Sequence, residues 1–229
     1  MNRSNLRPFR TGACVALLAI VLMPVYLSAT WSVIAVDART GRVVVASATC
    51  VPQSRLIGFP AEGLMDIQAI VVPGIGVAAA QAGVDRSRVN QRLIYAEMKN
   101  GTDPADILEM LSDDPDYQRR QFAIVDLEGR MVGFSGEGNS AASLSVQGRI
   151  PHEEIYFSIQ GNILASNDVV YDAVRRFMSA EGTLTDRVMA AMEGADEAGG
   201  DVRCTCETDP VPAAPCHGRN AHVAYILAA

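Results

Sequence analysis

Two stretches of this chain, residues 43–50 and 76–82, are built almost wholly from small and β-branched residues. Runs of that kind suit strands in a sheet that is packed closely on both sides. Each has a neighbour to pair with. Residues 30–37 alternate and lead into 43–50 through Ala38-Arg39-Thr40-Gly41, which is turn chemistry, so the two read as a hairpin. Residues 69–72 reach 76–82 across Pro73-Gly74, and 121–126 and 131–135 flank Leu127-Glu128-Gly129-Arg130 as another hairpin. Residues 155–159, ending in Gln160-Gly161-Asn162, and 222–227 are further strands, while 136–152, rich in Gly and Ser, is expected to be a long loop.

Helices fill the gaps. Val89, Leu93, Ile94 and Tyr95 give 86–99 a helical spacing that ends before Asn100-Gly101. Thr102-Asp103-Pro104 opens a second helix to Leu111, with a capping residue ahead of a Pro in the first turn. Two more are expected at about 167–180 and 185–192, followed by loop or insertion over 193–214. The order is strands, two helices, strands, two helices, strand. It predicts an α+β fold, a four-layer αββα sandwich of two mainly antiparallel sheets stacked face to face. A doubly wound parallel sheet is the weaker alternative, because hairpins imply antiparallel pairing.

Residues 1–29 differ from the rest. They hold Arg3, Arg7 and Arg10 and no acid, then an apolar run over 13–23, Pro24, and small residues at Ser28 and Ala29. This is the layout of a signal peptide, and the apolar run is short for a membrane span of about 20 residues. An uncleaved anchor is the alternative, since Leu27 is a mediocre residue three positions before the Ala29–Thr30 bond. Cys14 precedes any cleavage point, which argues against a lipoprotein. The expected location is periplasmic or secreted, with no stable membrane insertion once the leader is gone.

Removing 29 of 229 residues leaves 200, enough for one domain over 30–229, with a cysteine-bearing insertion near 201–219. Losing three Arg takes the formal charge from −7 to −10. Such a surface repels phosphate backbones, so nucleic acid is not an expected partner; a homo-oligomer stays open. Cys50, Cys204, Cys206 and Cys216 remain, an even count that in an exported chain favours disulfides in one of three pairings. Cys204-x-Cys206 with Cys216-His217 is the rival metal reading, but its spacing fits no common zinc pattern. No metal and no cofactor are expected.

Cleavage at Ala29 would have a chemical consequence. Thr30 would carry a free α-amine beside its own hydroxyl, and an amine with a pKa of about 7.7 to 8.0 accepts the hydroxyl proton near neutral pH. A strand that begins at the nucleophile holds both groups against a sheet.

The motifs in order are Thr30-Trp31-Ser32-Val33-Ile34-Ala35-Val36-Asp37 with Thr40-Gly41, Gly74-Ile75-Gly76-Val77 leading to Gln81-Ala82, Asp113-Asp114-Pro115 with Arg120-Gln121, Val125-Asp126 with Gly129-Arg130, Gln160-Gly161-Asn162-Ile163-Leu164, and Ala198-Gly199-Gly200-Asp201. Together they resemble the domain of unknown function 1028 family, grouped with the N-terminal nucleophile hydrolases, over essentially all of residues 30–227. The resemblance implies an αββα sandwich and a hydrolytic reaction class, with no substrate attached. Family members often carry Gly where Val44 stands and Trp-Ala-Gly where this chain has Gly138-Asn139-Ser140-Ala141, so the loop near the site is expected to have a different lining.

On this reading Thr30 is the catalytic nucleophile, and Asn162 donates to the oxyanion of a tetrahedral intermediate. Nearby backbone N–H groups share that role and Gln160 binds or orients substrate, with a turn stabilised by the Asn side chain as the structural alternative for the pair. Gln81 binds substrate, orients Thr30 or is a hydrogen-bonded core residue. Thr49 faces Thr30 across the hairpin or, like Ser32, is a core hydroxyl. Asp201 pairs with a substrate ammonium or the N-terminal amine, or is a turn residue. Lys99, the single Lys, sits at a helix end, and His152, His217 and His222 are too scattered for a Ser-His-Asp triad. The function expected is an exported amidohydrolase acting on a small-molecule or peptide-like amide. The alternative is a catalytically silent envelope binding or interaction module on the same fold.

Overall fold

The structure is a computed structural model that describes residues 30–57, 61–204 and 220–229. Its elements run β1 (Thr30–Asp37), β2 (Arg42–Thr49), α1 (Gln53–Leu56), α2 (Leu64–Gln68), β3 (Ala69–Val72), β4 (Gly76–Ala82), α3 (Val89–Asn100), α4 (Pro104–Leu111), β5 (Arg120–Asp126), β6 (Met131–Ser135), β7 (Leu144–Arg149), β8 (Ile155–Asn162), α5 (Asp168–Ser179), α6 (Leu184–Glu197) and β9 (Val223–Ala228). One sheet has the order β7-β8-β1-β2-β9, the other β3-β4-β5-β6. Every strand pairing is antiparallel.

Strand alternation sorts the core into three apolar layers, and these fix the four-layer order. Trp31, Val33 and Ala35 of β1, with Val44, Ala46, Phe157 and Ile159, pack against Val169, Phe177, Val188 and Ala191 of α5 and α6. Ala78, Ala80, Phe122 and Ile124 pack against Ile94, Met98, Ile107 and Leu111 of α3 and α4. The intervening residues, Ile34, Val36, Val43, Val45, Val77, Ala79, Ala123 and Val125, meet between the sheets. The αββα sandwich is therefore the observed fold, and the small residues of β2 and β4 lie where both faces are covered. Gly76 takes this to its limit, since a Cβ there would stand 2.5 Å from the Val125 carbonyl oxygen and 2.7 Å from the Asp126 Cα.

The helix at Pro104 starts as expected, with the Asp103 carboxylate accepting from the Ala105 amide at 2.9 Å. Several boundaries need correction. The stretch 136–152 is not all loop, because it contains β7, an edge strand whose inward positions are Ser145 and Gln147 rather than apolar residues. Strand β8 does not stop at Ile159 and runs on through Gln160, Gly161 and Asn162, so these three form no turn. Helix α6 extends to Glu197, past the expected end at Met192. Its Gly194 is a packing contact, where a Cβ would lie 2.8 Å from Arg176 Cγ and 3.0 Å from the Asp172 carbonyl oxygen. The short helices α1 and α2 carry too few residues for a periodic signal. Among the described residues no helix is long and apolar enough to cross a membrane.

Candidate functional site

The layer between the sheets changes character along its length. On the inward positions that continue Ile34 and Val36 toward the start of β1 stand Ser32 and Thr30; on those that continue Val43 and Val45 stand Ser47 and Thr49. Past Val77 and Ala79 comes Gln81, past Val125 and Ala123 comes Gln121, and on β8 the same face carries Ser158, Gln160 and Asn162. All nine are at most 3% exposed. One end of the sandwich is thus apolar and the other is a buried set of hydroxyls and carboxamides.

Register brings the predicted residues together. Thr30 lies opposite Asn162 on β8, and its Oγ1 is 3.3 Å from the Thr49 Oγ1 on β2. Gln81 reaches across from the other sheet and donates through Nε2 to the Thr30 carbonyl oxygen at 3.3 Å and to Gln121 Oε1 at 2.6 Å. Asn162 Nδ2 donates to the same Gln121 oxygen at 3.2 Å. Gln121 Nε2 in turn donates toward the Gly161 carbonyl at 2.9 Å, Ser135 Oγ at 3.1 Å and the Leu144 carbonyl at 3.3 Å. Gln160 sits one pair along β8, opposite Ser32, and accepts from Ser145 Oγ at 3.5 Å.

The strands that present Gln81 and Asn162 both end abruptly. Ala82 has φ 70° and Ile163 has φ 53°, so each polar residue is followed by a non-glycine residue in the left-handed region. For a β-branched Ile that conformation is an outlier, of the sort that surrounding structure must impose.

Asp201 stands elsewhere in this end of the molecule. It is buried, its Oδ2 accepts the Cys50 amide at 2.9 Å, and it pairs with Arg203, Nη2 to Oδ2 at 2.7 Å and Nε to Oδ1 at 3.0 Å. Cys50 is disulfide-bonded to Cys204, with Cα atoms 5.3 Å apart. Of the three pairings left open by the sequence, this selects the one that joins Cys50 to Cys204. Together the disulfide and the Asp201 carboxylate pin the residue that follows Thr49. Cys206 and Cys216 lie outside the described residues, as does the leader.

A charged cluster flanks the neutral one on the outer face of β5. Arg120 Nε holds Asp114 Oδ2 at 2.8 Å, Asn90 Nδ2 holds the same oxygen at 2.6 Å, and Arg120 Nη1 donates to the Gly83 carbonyl at 2.5 Å. Burial alone would raise the Asp114 carboxyl, but the Arg120 and Asn90 hydrogen bonds outweigh it and hold it below the usual carboxylate range. Asp85 is lowered in the same way, against burial, by Ser87 and by the Asn90 and Ser87 amides.

Sequence reading missed Gln121, the hub of the arrangement, although it quoted Arg120-Gln121. The available signal was alternation, since Gln121 shares the face of Ala123 and Val125 and pairs with Gln81. Leu144 was missed because β7 was read as loop.

No curated protein matches the chain. A crystal structure of protein SPO2555 from Silicibacter pomeroyi, itself assigned to DUF1028, is similar with a TM-score of 0.61 and 24% identity, covering 76% of this chain and 72% of that one. At that identity the likeness speaks for the fold. The family model described as "Family of unknown function (DUF1028)" matches residues 30–207, and the chain belongs to that family.

Proposed function

We propose that this protein is an exported amidohydrolase of the N-terminal nucleophile type, in which removal of residues 1–29 frees the Thr30 amine beside its hydroxyl. The observation that carries this reading is the setting of Thr30: first residue of a strand held on both sides, with its hydroxyl against Thr49 and its carbonyl held by Gln81. The family match also begins at this residue. A disulfide between Cys50 and Cys204 fits an oxidising compartment.

In the proposed reaction the α-amine takes the Thr30 hydroxyl proton as the oxygen attacks the amide carbonyl carbon. The tetrahedral oxyanion collapses, the C–N bond breaks, and the ammonium returns the proton to the leaving amine. Water then attacks the ester, with the amine again as base, and releases the carboxylic acid. Asn162 is placed opposite Thr30, and an amide nitrogen carries two hydrogens, so donation to Gln121 leaves one for the oxyanion. Gln81 and Gln121 act as positioning residues.

A second reading, a silent binding module, draws on the same network, because its carboxamides are bonded to one another and almost fully buried. One experiment separates the two. The exported protein is sequenced at its N-terminus by mass spectrometry, and wild type, Thr30→Ala and Thr30→Ser are treated with a threonine-directed electrophile. A chain starting at Thr30, an adduct on that residue, loss of labelling in Thr30→Ala and partial labelling in Thr30→Ser are expected. A different first residue, or equal labelling of wild type and Thr30→Ala, removes the nucleophile and leaves the module.

A further inference from the structure

The polar end of the sandwich is closed differently on its different sides. Along the strands it is sealed by Ile34, Val36, Val45, Ala79 and Ala123, and beside β9 by Leu56, Leu64 and Ile67 with Tyr225. On the side opposite β9 the edge strands β6 and β7 face each other, and there the facing residues Gly133, Ser135, Ser145 and Gln147 are not apolar. Every residue of β6, and every residue of β7 but the exposed Arg149, is half-buried.

Neutral hydrogen bonds close this seam. Ser135 Oγ and Ser143 Oγ are 2.5 Å apart, Asn139 Nδ2 lies 3.4 Å from Ser135 Oγ, and Gln147 Nε2 donates to Ser145 at 2.7 Å and Ser158 at 2.9 Å. Gly133 of β6 makes room for it, since a Cβ there would collide with the Gln147 amide and the Ser145 hydroxyl. The seam is one residue deep, because Gln121 bonds Ser135 and Leu144 on its outer side and Asn162 on its inner side. Behind Ser145, Gln160 is completely buried and its Nε2 has no hydrogen-bond partner.

We propose that the β6–β7 seam is the way into the Thr30 site and the subsite for the acyl group of its substrate, which is neutral and carries carbonyl or hydroxyl oxygens. Apolar packing cannot part without exposing its surface to water, whereas hydroxyls and carboxamides can exchange partners with a ligand that offers the same groups. A carboxylate or an ammonium would find no counter-charge among Ser135, Ser143, Ser145, Gln147 and Gln160, and burying an unpaired charge is strongly unfavourable. An acceptor oxygen would meet the waiting Gln160 donor. The inference rests on the Thr30 reading for its substrate, but the route can be tested without it.

The test uses the exported protein carrying Thr30→Cys, which supplies a thiol whether or not Thr30 itself reacts. Ser135→Cys with Ser143→Cys is added, because side chains this close can be bridged. Alkylation of position 30 by iodoacetamide and by iodoacetate is followed by peptide mass, each rate divided by that of glutathione. Formation of the engineered bridge is expected to slow alkylation at least fivefold, and reduction to restore it, with the Thr30→Cys chain taken through the same cycle. The normalised preference for neutral iodoacetamide over anionic iodoacetate is expected to be at least tenfold. A bridge with a smaller effect overturns the route, and a preference near one overturns the neutral subsite. Where the bridged chain fails to fold, Ser143→Trp, which fills the half-buried mouth without a crosslink, must slow alkylation by the same factor. Slow alkylation behind a closed seam with an inert Thr30 in wild type would keep the route and reject the hydrolase.

Discussion

Replacing Gln121 by Leu removes five hydrogen bonds at a position with no exposed surface while keeping the side-chain volume similar. The five are not equal. An amide nitrogen carries two hydrogens, so the three acceptors of Gln121 Nε2 share two bonds. Gln81 keeps the Thr30 carbonyl as an acceptor, but the Asn162 Nδ2 and Gly161 carbonyl lose the bonds to Gln121 in a region that is at most 3% exposed. A stranded buried donor or acceptor costs about 1–3 kcal/mol each, so the variant is expected to lose about 3 kcal/mol after the gain from the apolar side chain. With a urea slope of about 2 kcal/mol/M for a domain of this size, the midpoint falls by roughly 1.5 M at unchanged slope. Gln121→Glu adds a pH signature. Burial raises the new carboxyl in the folded state, so the protonated form, which can still donate, preserves stability below the unfolded pKa of about 4.3, and that stability is lost as pH rises through the folded value. Urea unfolding of both variants at pH 4 and pH 8 decides it. A loss under about 1 kcal/mol for Gln121→Leu, or a Glu variant equally stable at both pH values, would falsify the hub assignment.

Other perturbations probe the flanks of the site. Cys50→Ser removes a link between residues 154 apart in sequence and is expected to cost about 3–5 kcal/mol by loop-closure entropy, read as a fall in the urea midpoint; a change below about 1 kcal/mol would mean the link is absent from the exported protein. Asp114→Asn is expected to narrow the acid limb. Because the folded Asp114 carboxyl lies below its unfolded value, its stabilisation is complete above about pH 4 to 5 and is lost as pH falls through the lower folded value. The stability difference between wild type and variant should be flat from about pH 5 to 7 and shrink toward pH 3, and a constant difference would contradict the Arg120 pairing.

Most of the fold was legible because its strands are short, paired in sequence and punctuated by turns. The β1–β2, β3–β4 and β5–β6 hairpins each join short runs of apolar, small or β-branched residues through turn residues such as Gly41, Pro73-Gly74 and Gly129, and register follows from loop length. What failed was the polar end. Leu144-Ser145-Val146-Gln147 alternates as a strand should, yet Ser, Gln and Gly carry low strand propensity, and only the partner β8 makes their backbone pairing favourable. Gln160, Gly161 and Asn162 have the composition of a turn, and tertiary pairing with β1 and β7 keeps them extended. Gln121 was hidden for a related reason: a single Gln in an apolar strand is uninformative until the opposite sheet supplies Gln81 and Asn162.

The same end explains why the errors cluster where the candidate chemistry lies. Burying carboxamides and hydroxyls between two sheets gains less than burying Val or Ile, and each group left without a partner there, as Gln160 Nε2 is, costs stability, so such a layer is retained only where its polarity has a use. The apolar half of the layer meets the ordinary requirement of a sandwich, with Ile34, Val45, Val77 and Val125 filling the space between the sheets. The polar half holds Thr30 at a strand start, aligns it with Asn162 by register and with Gln81 by a bond from the other sheet, and leaves a hydrogen-bonded seam at β6 and β7. Each of these runs against local propensity: an extended Gln-Gly-Asn, a left-handed Ile163, a Ser- and Gln-rich strand. Departures from the local rules that converge on one small volume are what a functional site requires and what stability alone would remove.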